Sequence, residues 1–137
     1  LRAWWQPKES GWMPSISTGW GMSVFSTNDN DDKGGTKQSW FVGLNWKDAF
    51  IKGNRLGMAI AQPEFLTSTE ASGNPADGNY AMELYYDFQV TDNITVTPAV
   101  FYLSRPYGQK TGGAAYGGSN ADSFNMFGYL VQTTFKF

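Results

Sequence analysis

The stretch that decides the fold is the final one, Met126-Phe-Gly-Tyr-Leu-Val-Gln-Thr-Thr-Phe-Lys-Phe137. Every second side chain in it is large and mostly apolar: Phe127, Tyr129, Val131, Thr133, Phe135 and Phe137. The residues between them, such as Gly128, Gln132 and Lys136, are mostly small or polar. A helix would spread both sets around its circumference, whereas a strand separates them onto two faces. The stretch therefore predicts a β-strand with one apolar and one polar face.

The same alternation recurs upstream. It is clearest at 79–90, where Tyr80, Met82 and Leu84 alternate with smaller or polar residues, and it also occurs at 1–6, 15–25, 40–46, 54–61 and 94–103. Pro98 lies inside the last of these and weakens the prediction there, because proline cannot donate a ladder hydrogen bond. The connectors are alternately short (7–13, 47–53, 91–93) and long (26–39, 62–78, 105–123). This order predicts an all-β, antiparallel up-and-down sheet of about seven strands, as in a transmembrane β-barrel.

Composition narrows the classes of function. The chain has no cysteine and no histidine, so thiol nucleophiles, imidazole bases and the usual zinc ligands are excluded. A formal net charge of −2 gives no basic field for nucleic acid. The sequence contains no run of about 18 apolar residues, which a transmembrane helix would need. The strands of a membrane barrel alternate apolar and polar residues, so they never form such a run. We predict no enzyme, no cofactor, no metal site and no nucleic-acid partner.

Two features favour lipid on the apolar face and water on the polar one. Aromatic residues gather near strand ends, as in the two girdles of a membrane barrel: Trp5, Trp12, Trp46 and Phe50 near short connectors, and Trp40, Tyr80, Tyr102 and Phe127 near long ones. Charged residues occupy the polar face in mid-strand, where a packed core would reject them unless paired. The predicted pore-lining residues are Arg2, Arg55, Glu83, Asp87, Gln89, Gln132 and Lys136. The alternative is a soluble β-sandwich that binds carbohydrate on exposed aromatic rings.

Two polar stretches and one carboxylate pair carry weaker hypotheses. The acidic stretch 28–34 invites a calcium interpretation, but its spacing fails the EF-hand pattern, and a solvated loop is favoured. The glycine-rich stretch 112–118 lacks a phosphate-loop pattern. Glu83 and Asp87 lie four residues apart on one strand, roughly 13 Å at about 3.3 Å per residue. This is too far for a glycosidase carboxylate pair, so both are interpreted as lumen charges.

Three stretches resemble the cyanobacterial branch of the OprB-type carbohydrate-selective porins, also called iron uptake porins: Trp40-Phe-Val-Gly-Leu-Asn-Trp-Lys-Asp-Ala-Phe-Ile-Lys-Gly-Asn54, Phe88-Gln-Val-Thr-Asp-Asn-Ile-Thr-Val-Thr-Pro98 and Thr133-Thr-Phe-Lys-Phe137. The resemblance implies a water-filled, homotrimeric barrel of roughly sixteen strands. It implies passive diffusion of inorganic ions, sugars or iron species across a cyanobacterial outer membrane. Phe135 and Phe137 resemble the signal read by the barrel-assembly machinery.

The strand count bears on how much of such a barrel this chain contains. Seven is odd, whereas single-chain bacterial barrels usually have an even number of strands. Residues 1–137 are therefore expected to be the C-terminal portion of the barrel, without its first half or constriction loop. The family's S-layer-homology domain, which binds peptidoglycan and cell-wall polysaccharide, is likewise expected upstream. A structural role as a link between outer membrane and cell wall is a further alternative.

Overall fold

A computed structural model describes residues 1–9, 11–26, 34–69, 77–108 and 124–137. They form seven strands: β1 (Arg2–Trp5), β2 (Ser15–Phe25), β3 (Gly35–Lys47), β4 (Arg55–Thr69), β5 (Tyr80–Thr91), β6 (Ile94–Ser104) and β7 (Asn125–Phe135). All lie in one sheet in chain order, and every neighbouring pair is antiparallel. The predicted all-β, up-and-down architecture is confirmed. The sheet is not closed, and β1 and β7 are its edges.

The register keeps the two sets of side chains on separate faces across the whole sheet. Val42 pairs with Ile60 and Leu84 pairs with Val100, so large apolar residues lie beside each other on what we call the apolar face. Glycine, alanine, hydroxyl and charged residues share the opposite side, which we call the polar face. A slip of one residue at any strand would reverse its faces. Because of this pairing, the alternation within each strand produces one apolar face and one polar face for the sheet.

Nothing among the described residues packs over the apolar face. Ala99, at 7% exposure, is the one buried hydrophobic residue in this part of the chain, while Tyr129 and Val24 are 81% and 72% exposed. A β-sandwich would bury such residues between two sheets about 10 Å apart. The described residues form a single layer, so they do not form the sandwich that the sequence left as an alternative. They also contain no helix long and apolar enough to cross a membrane.

Two predicted strand boundaries are wrong. Strand β3 begins at Gly35 instead of Trp40, and β4 continues to Thr69 instead of ending near Ala61. The glycines before residue 40 and Pro63 indicated loops. Pairing between β3 and β4 overrides these signals, because register shifts place Pro63 between the Trp40↔Gln62 and Gln38↔Phe65 pairs. An irregularity of this kind tolerates a residue that cannot donate to the ladder.

Pro98 lies inside β6, as the alternation predicted. It pairs with Val131 of β7. On the other side, the ladder with β5 passes from Tyr85↔Ala99 to Phe88↔Val96, leaving a gap beside the proline. The side chains of Thr97 and Asp87 bridge this gap, with the Thr97 hydroxyl donating to Asp87 Oδ1 at 2.7 Å. A side-chain hydrogen bond thus replaces ladder contacts that proline interrupts.

Candidate functional site

The candidate site is a concave region of the polar face across β4 to β7, which we call the polar hollow. Its volume is about 410 Å³. Its lining combines charged, amide, hydroxyl and aromatic side chains with two aliphatic ones: Arg55, Glu83, Tyr85, Asp87, Thr95, Thr97, Ala99, Leu130, Gln132, Thr134 and Lys136. It lies toward the short-turn end of the sheet, because β4 begins and β5 ends there. Its polar lining suits contact with water and hydrophilic solutes.

An ion pair organises the hollow. Arg55 and Asp87 are direct cross-strand partners. The Nε and Nη2 atoms of Arg55 donate to Asp87 Oδ2 at 2.9 and 2.6 Å, and Thr97 donates to the other carboxylate oxygen. The Asp87 side chain is 10% exposed and that of Arg55 is 56% exposed. The carboxylate is therefore held in the wall, and the guanidinium is the part of the pair presented to solvent.

Asp87→Ala should lower the free energy of unfolding by about 2 kcal/mol, because it leaves the donors of Arg55 and Thr97 without their acceptor. The half-exposed guanidinium can recover part of this loss through water, which keeps the effect below that of a fully buried pair. Urea unfolding of the full-length protein in lipid vesicles measures it. Glu83→Ala is the matched control, since Glu83 is exposed on the same strand and face, and a change within about 0.5 kcal/mol is expected. Equal losses in both variants would contradict a special role for the pair.

Aromatic rings on the polar face were not predicted as site residues. The ring of Tyr85 lies where a side chain on Gly57 would stand, and its hydroxyl accepts a hydrogen bond from Asn45 Nδ2 at 2.9 Å. Phe41 covers Gly19 and Phe101 covers Gly128 in the same way. In each case the ring covers a glycine on a neighbouring strand. In the sequence these aromatic residues occur at positions of the polar face, where the other residues are mostly small or polar. Only the register of the strands shows that each ring covers a glycine.

Five of the seven predicted pore-lining residues line the polar hollow together: Arg55, Glu83, Asp87, Gln132 and Lys136. The other two lie elsewhere on the polar face. Arg2 pairs with Gly19 at the opposite edge of the sheet. Gln89 lies near the end of β5, where its backbone N–H donates to Asn54 Oδ1 at 2.9 Å. The predicted set is therefore one cluster with two outlying members.

Most of the predicted girdle residues lie toward the two ends of the sheet. At the long-loop end, Tyr80 begins β5 and Tyr102 pairs with Phe127. Trp40 makes an edge contact with Tyr80 at 6.5 Å, but it lies five residues inside β3, which begins at Gly35. At the short-turn end, Trp5 pairs with Ile16, and Trp46 Nε1 donates to the carbonyl of Trp12 at 2.8 Å. Between Tyr80 and Phe88 lie eight residue steps, about 26 Å along the strand at about 3.3 Å per residue. With a barrel tilt of about 40°, this gives a band about 20 Å tall, close to the height of a barrel's apolar band.

Two predicted loop features lie outside the described residues. They are positions 28–33 of the acidic stretch and the glycine-rich stretch 112–118. The calcium and solvated-loop interpretations of the first therefore stay predictions.

Comparison with known proteins gives one family and two relatives. The family model described as "Carbohydrate-selective porin, OprB family" matches residues 2–137. An uncharacterized protein of Synechocystis sp. is 26% identical over 119 residues, which are 85% of this chain and 21% of that protein. An uncharacterized protein of Nostoc sp. is 32% identical over 108 residues, 79% of this chain and 16% of that protein. The chain thus spans about a fifth or less of the length of these relatives. No solved structure matches it significantly.

Proposed function

The chain belongs to the OprB family of carbohydrate-selective porins, and from this we propose that it forms part of the wall of an outer-membrane diffusion channel. The observation that carries the proposal is the single sheet with two unlike faces. The apolar face has no covering layer among the described residues, as shown by Tyr129 at 81% and Val131 at 63% exposure. Soluble proteins rarely leave so large an apolar surface open. In a porin this face meets lipid, and the polar face lines water.

Passive diffusion of small hydrophilic solutes follows from that arrangement. The solute classes proposed are carbohydrates, inorganic ions and iron species. The polar hollow offers both signs of charge, and Arg55 and Asp87 neutralise each other, so the hollow does not present a field of one sign. An aromatic ring beside hydroxyl, amide and charged groups suits weak, exchangeable contacts with polyhydroxylated solutes. A porin family is a family of channels, which supports a non-enzymatic role.

The proposal extends to the assembled protein. We infer that further strands outside these 137 residues close the sheet into a barrel of roughly sixteen strands, with this chain as its C-terminal portion. A homotrimer in a cyanobacterial outer membrane is expected, with lipid against the apolar face. Phe135 and Phe137 would be read by the barrel-assembly machinery during insertion. Contact with cell-wall polysaccharide would belong to a domain outside this chain.

The experiment is conductance of the full-length protein in a planar bilayer, combined with accessibility of neighbouring positions in β7. Gln132 lines the polar hollow and Val131 lies on the apolar face. In a background without other cysteines, a membrane-impermeant, charged thiol reagent should lower the current of Gln132→Cys and leave that of Val131→Cys unchanged. Stepwise conductance is expected from both variants before labelling. A stably inserted protein without conductance, or labelling that reduces only the Val131→Cys current, would contradict the proposal.

A further inference from the structure

Glu83 is an exposed acidic residue of the polar hollow. Its carboxylate forms no ion pair or hydrogen bond within the described part of the chain. Asp87, four residues further along the strand, is neutralised by Arg55 at 2.6 Å. Lys136 is eight residues beyond Gly128, which lies in the same cross-strand row as Glu83, so the two charges are separated by about 26 Å along the strand direction. The long-loop half of the hollow therefore carries a negative charge that no described cation offsets.

Apolar side chains lie beside Glu83 on the polar face. Phe101 of β6 is the direct cross-strand partner of Glu83, and its ring covers Gly128 of β7. The neighbours of Gly128 on the same face of β7 are Met126 and Leu130, so the ring lies between two further apolar side chains. Met126 is 45% exposed and Leu130 is 54% exposed. We call Phe101, Met126 and Leu130 the apolar strip.

The apolar strip is unusual for the polar face. On the short-turn half of the same two strands, the hollow is lined by hydroxyl and amide groups of Thr95, Thr97, Gln132 and Thr134. The strip does not fill a core, because nothing among the described residues packs over it. Contiguous apolar side chains that face water are costly, and they commonly mark a binding surface. The strip and the adjacent carboxylate together therefore suggest a ligand.

A cation that carries an apolar group fits this combination. Neighbouring strands lie about 4.8 Å apart, so β5 and β7 are separated by about 10 Å. The Glu83 side chain covers part of this distance, and a small arylalkyl ammonium ion covers the rest. Its ammonium group pairs with Glu83 while its apolar group covers Phe101 and Leu130. Charge complementarity selects a cation over an uncharged apolar occupant, and Glu83 repels an anion.

We propose that the long-loop half of the polar hollow binds organic cations, namely amines with an aromatic or aliphatic substituent, as they pass through the channel. Glu83 pairs with the ammonium group, and the apolar strip contacts the substituent. Binding is weak, because an ion pair with an exposed carboxylate gains little in water. Weak binding suits a channel, since the solute must also leave. The inference rests on the proposed function and adds a solute class to it.

Block of the potassium current of the full-length protein in a planar bilayer tests this with three probes. Benzylammonium has the ring and the charge, methylammonium the charge alone, and benzamide the ring alone. In about 0.1 M potassium chloride, where the Debye length is about 10 Å, benzylammonium should reduce the current at a several-fold lower concentration than either of the others. In about 1 M salt, where the Debye length is about 3 Å, this difference should shrink. Equal potency of the three probes at low salt would overturn the inference.

Substitutions separate the two parts of the site. Glu83→Gln should raise the concentration of benzylammonium needed for half-block several-fold. Leu130→Ser should weaken block by benzylammonium but not by methylammonium. Glu64→Gln is the matched control, because it removes the same charge outside the hollow, where Glu64 pairs with Lys37 at 3.4 Å. Equal losses in Glu83→Gln and Glu64→Gln would mean that overall charge governs the block, and the proposed site would be wrong.

Accessibility of the apolar strip distinguishes a solute from another segment of the full-length protein as its occupant. In a background without other cysteines, Leu130→Cys should react with a membrane-impermeant, charged thiol reagent as readily as Gln132→Cys. A conducting channel in which only Gln132→Cys reacts would show that protein covers the strip, and this would overturn the present inference alone. A stably inserted protein without conductance would overturn the proposed function as well.

Discussion

Leu84→Arg is expected to destabilise the full-length protein in lipid by about 2–4 kcal/mol, because it places a charge on the lipid side of a barrel near the bilayer midplane. Leu84 lies on the apolar face, opposite Met58 and Val100. It is four residues from Tyr80 and four from Phe88, about 13 Å along the strand in each direction.

The stability cost of an arginine substitution depends on its depth in the bilayer, and this dependence distinguishes lipid exposure from ordinary packing. Tyr80 and Leu84 are 44% and 46% exposed on the same face of β5, so packing alone predicts similar costs for arginine at either. In a bilayer, Tyr80→Arg near the interface should cost only about 0–1 kcal/mol. Urea unfolding in vesicles, followed by tryptophan fluorescence, measures both. Glu83→Arg, on the polar face, should leave the protein folded. Equal costs at positions 80 and 84 would argue against a membrane-spanning β5.

The faces of the sheet could be predicted from sequence because alternation is a local property. Each strand shows which residues share a face, and the period-2 alternation of the terminal stretch 126–137 fits a strand and not a helix. The turn at 91–93 could also be predicted from the sequence, since Asp and Asn favour tight turns. Short turns favour pairing of the strands that they join, and the alternation of short and long connectors predicts the rest of the meander. The family resemblance, confirmed by the match over residues 2–137, agrees with it.

The extent of β3 and β4 could not be predicted in the same way. Pro63 is a loop signal when a strand is considered alone. Only the partner strand shows that the proline falls at a register irregularity, where no ladder donor is needed. The sequence therefore ended β4 near Ala61, whereas pairing carries it to Thr69. The length of β4 therefore depends on its pairing with β3 as well as on its own residues.

The internal arrangement of the site also depended on register. Arg55 and Asp87 are 32 residues apart, and sequence alone showed two lumen charges of opposite sign. The structure shows that they form one ion pair with most of the carboxylate enclosed. Arg2 was predicted in the same set but lies at the other edge of the sheet. The face on which each of these residues lies could be predicted from the sequence, but which of them are neighbours on different strands could not.

Gly57→Ala is expected to lower the free energy of unfolding by about 2 kcal/mol, a large effect for a single methyl group. A Cβ at this position would overlap the ring of Tyr85, and overpacking of this kind typically costs about 1–3 kcal/mol. The ring must then swing away from the wall and lose its hydrogen bond from Asn45. Gly21→Ala is the matched control on the polar face, because its nearest obstacle is the small Ser39 hydroxyl at 3.1 Å. It should change stability by at most about 0.5 kcal/mol.

A double-mutant cycle shows whether the ring is the cause. With Tyr85→Ala in place, the methyl group of Gly57→Ala has no ring to displace, so the double variant should be more stable than the sum of the single effects by about 1–2 kcal/mol. Conductance adds a functional measurement. A ring displaced from the wall into the lumen should reduce the single-channel current of Gly57→Ala, and removing the ring should restore it. Strict additivity together with an unchanged current would mean that Tyr85 does not lie over Gly57 in the inserted protein. It would also mean that the polar face does not line the conducting pathway there.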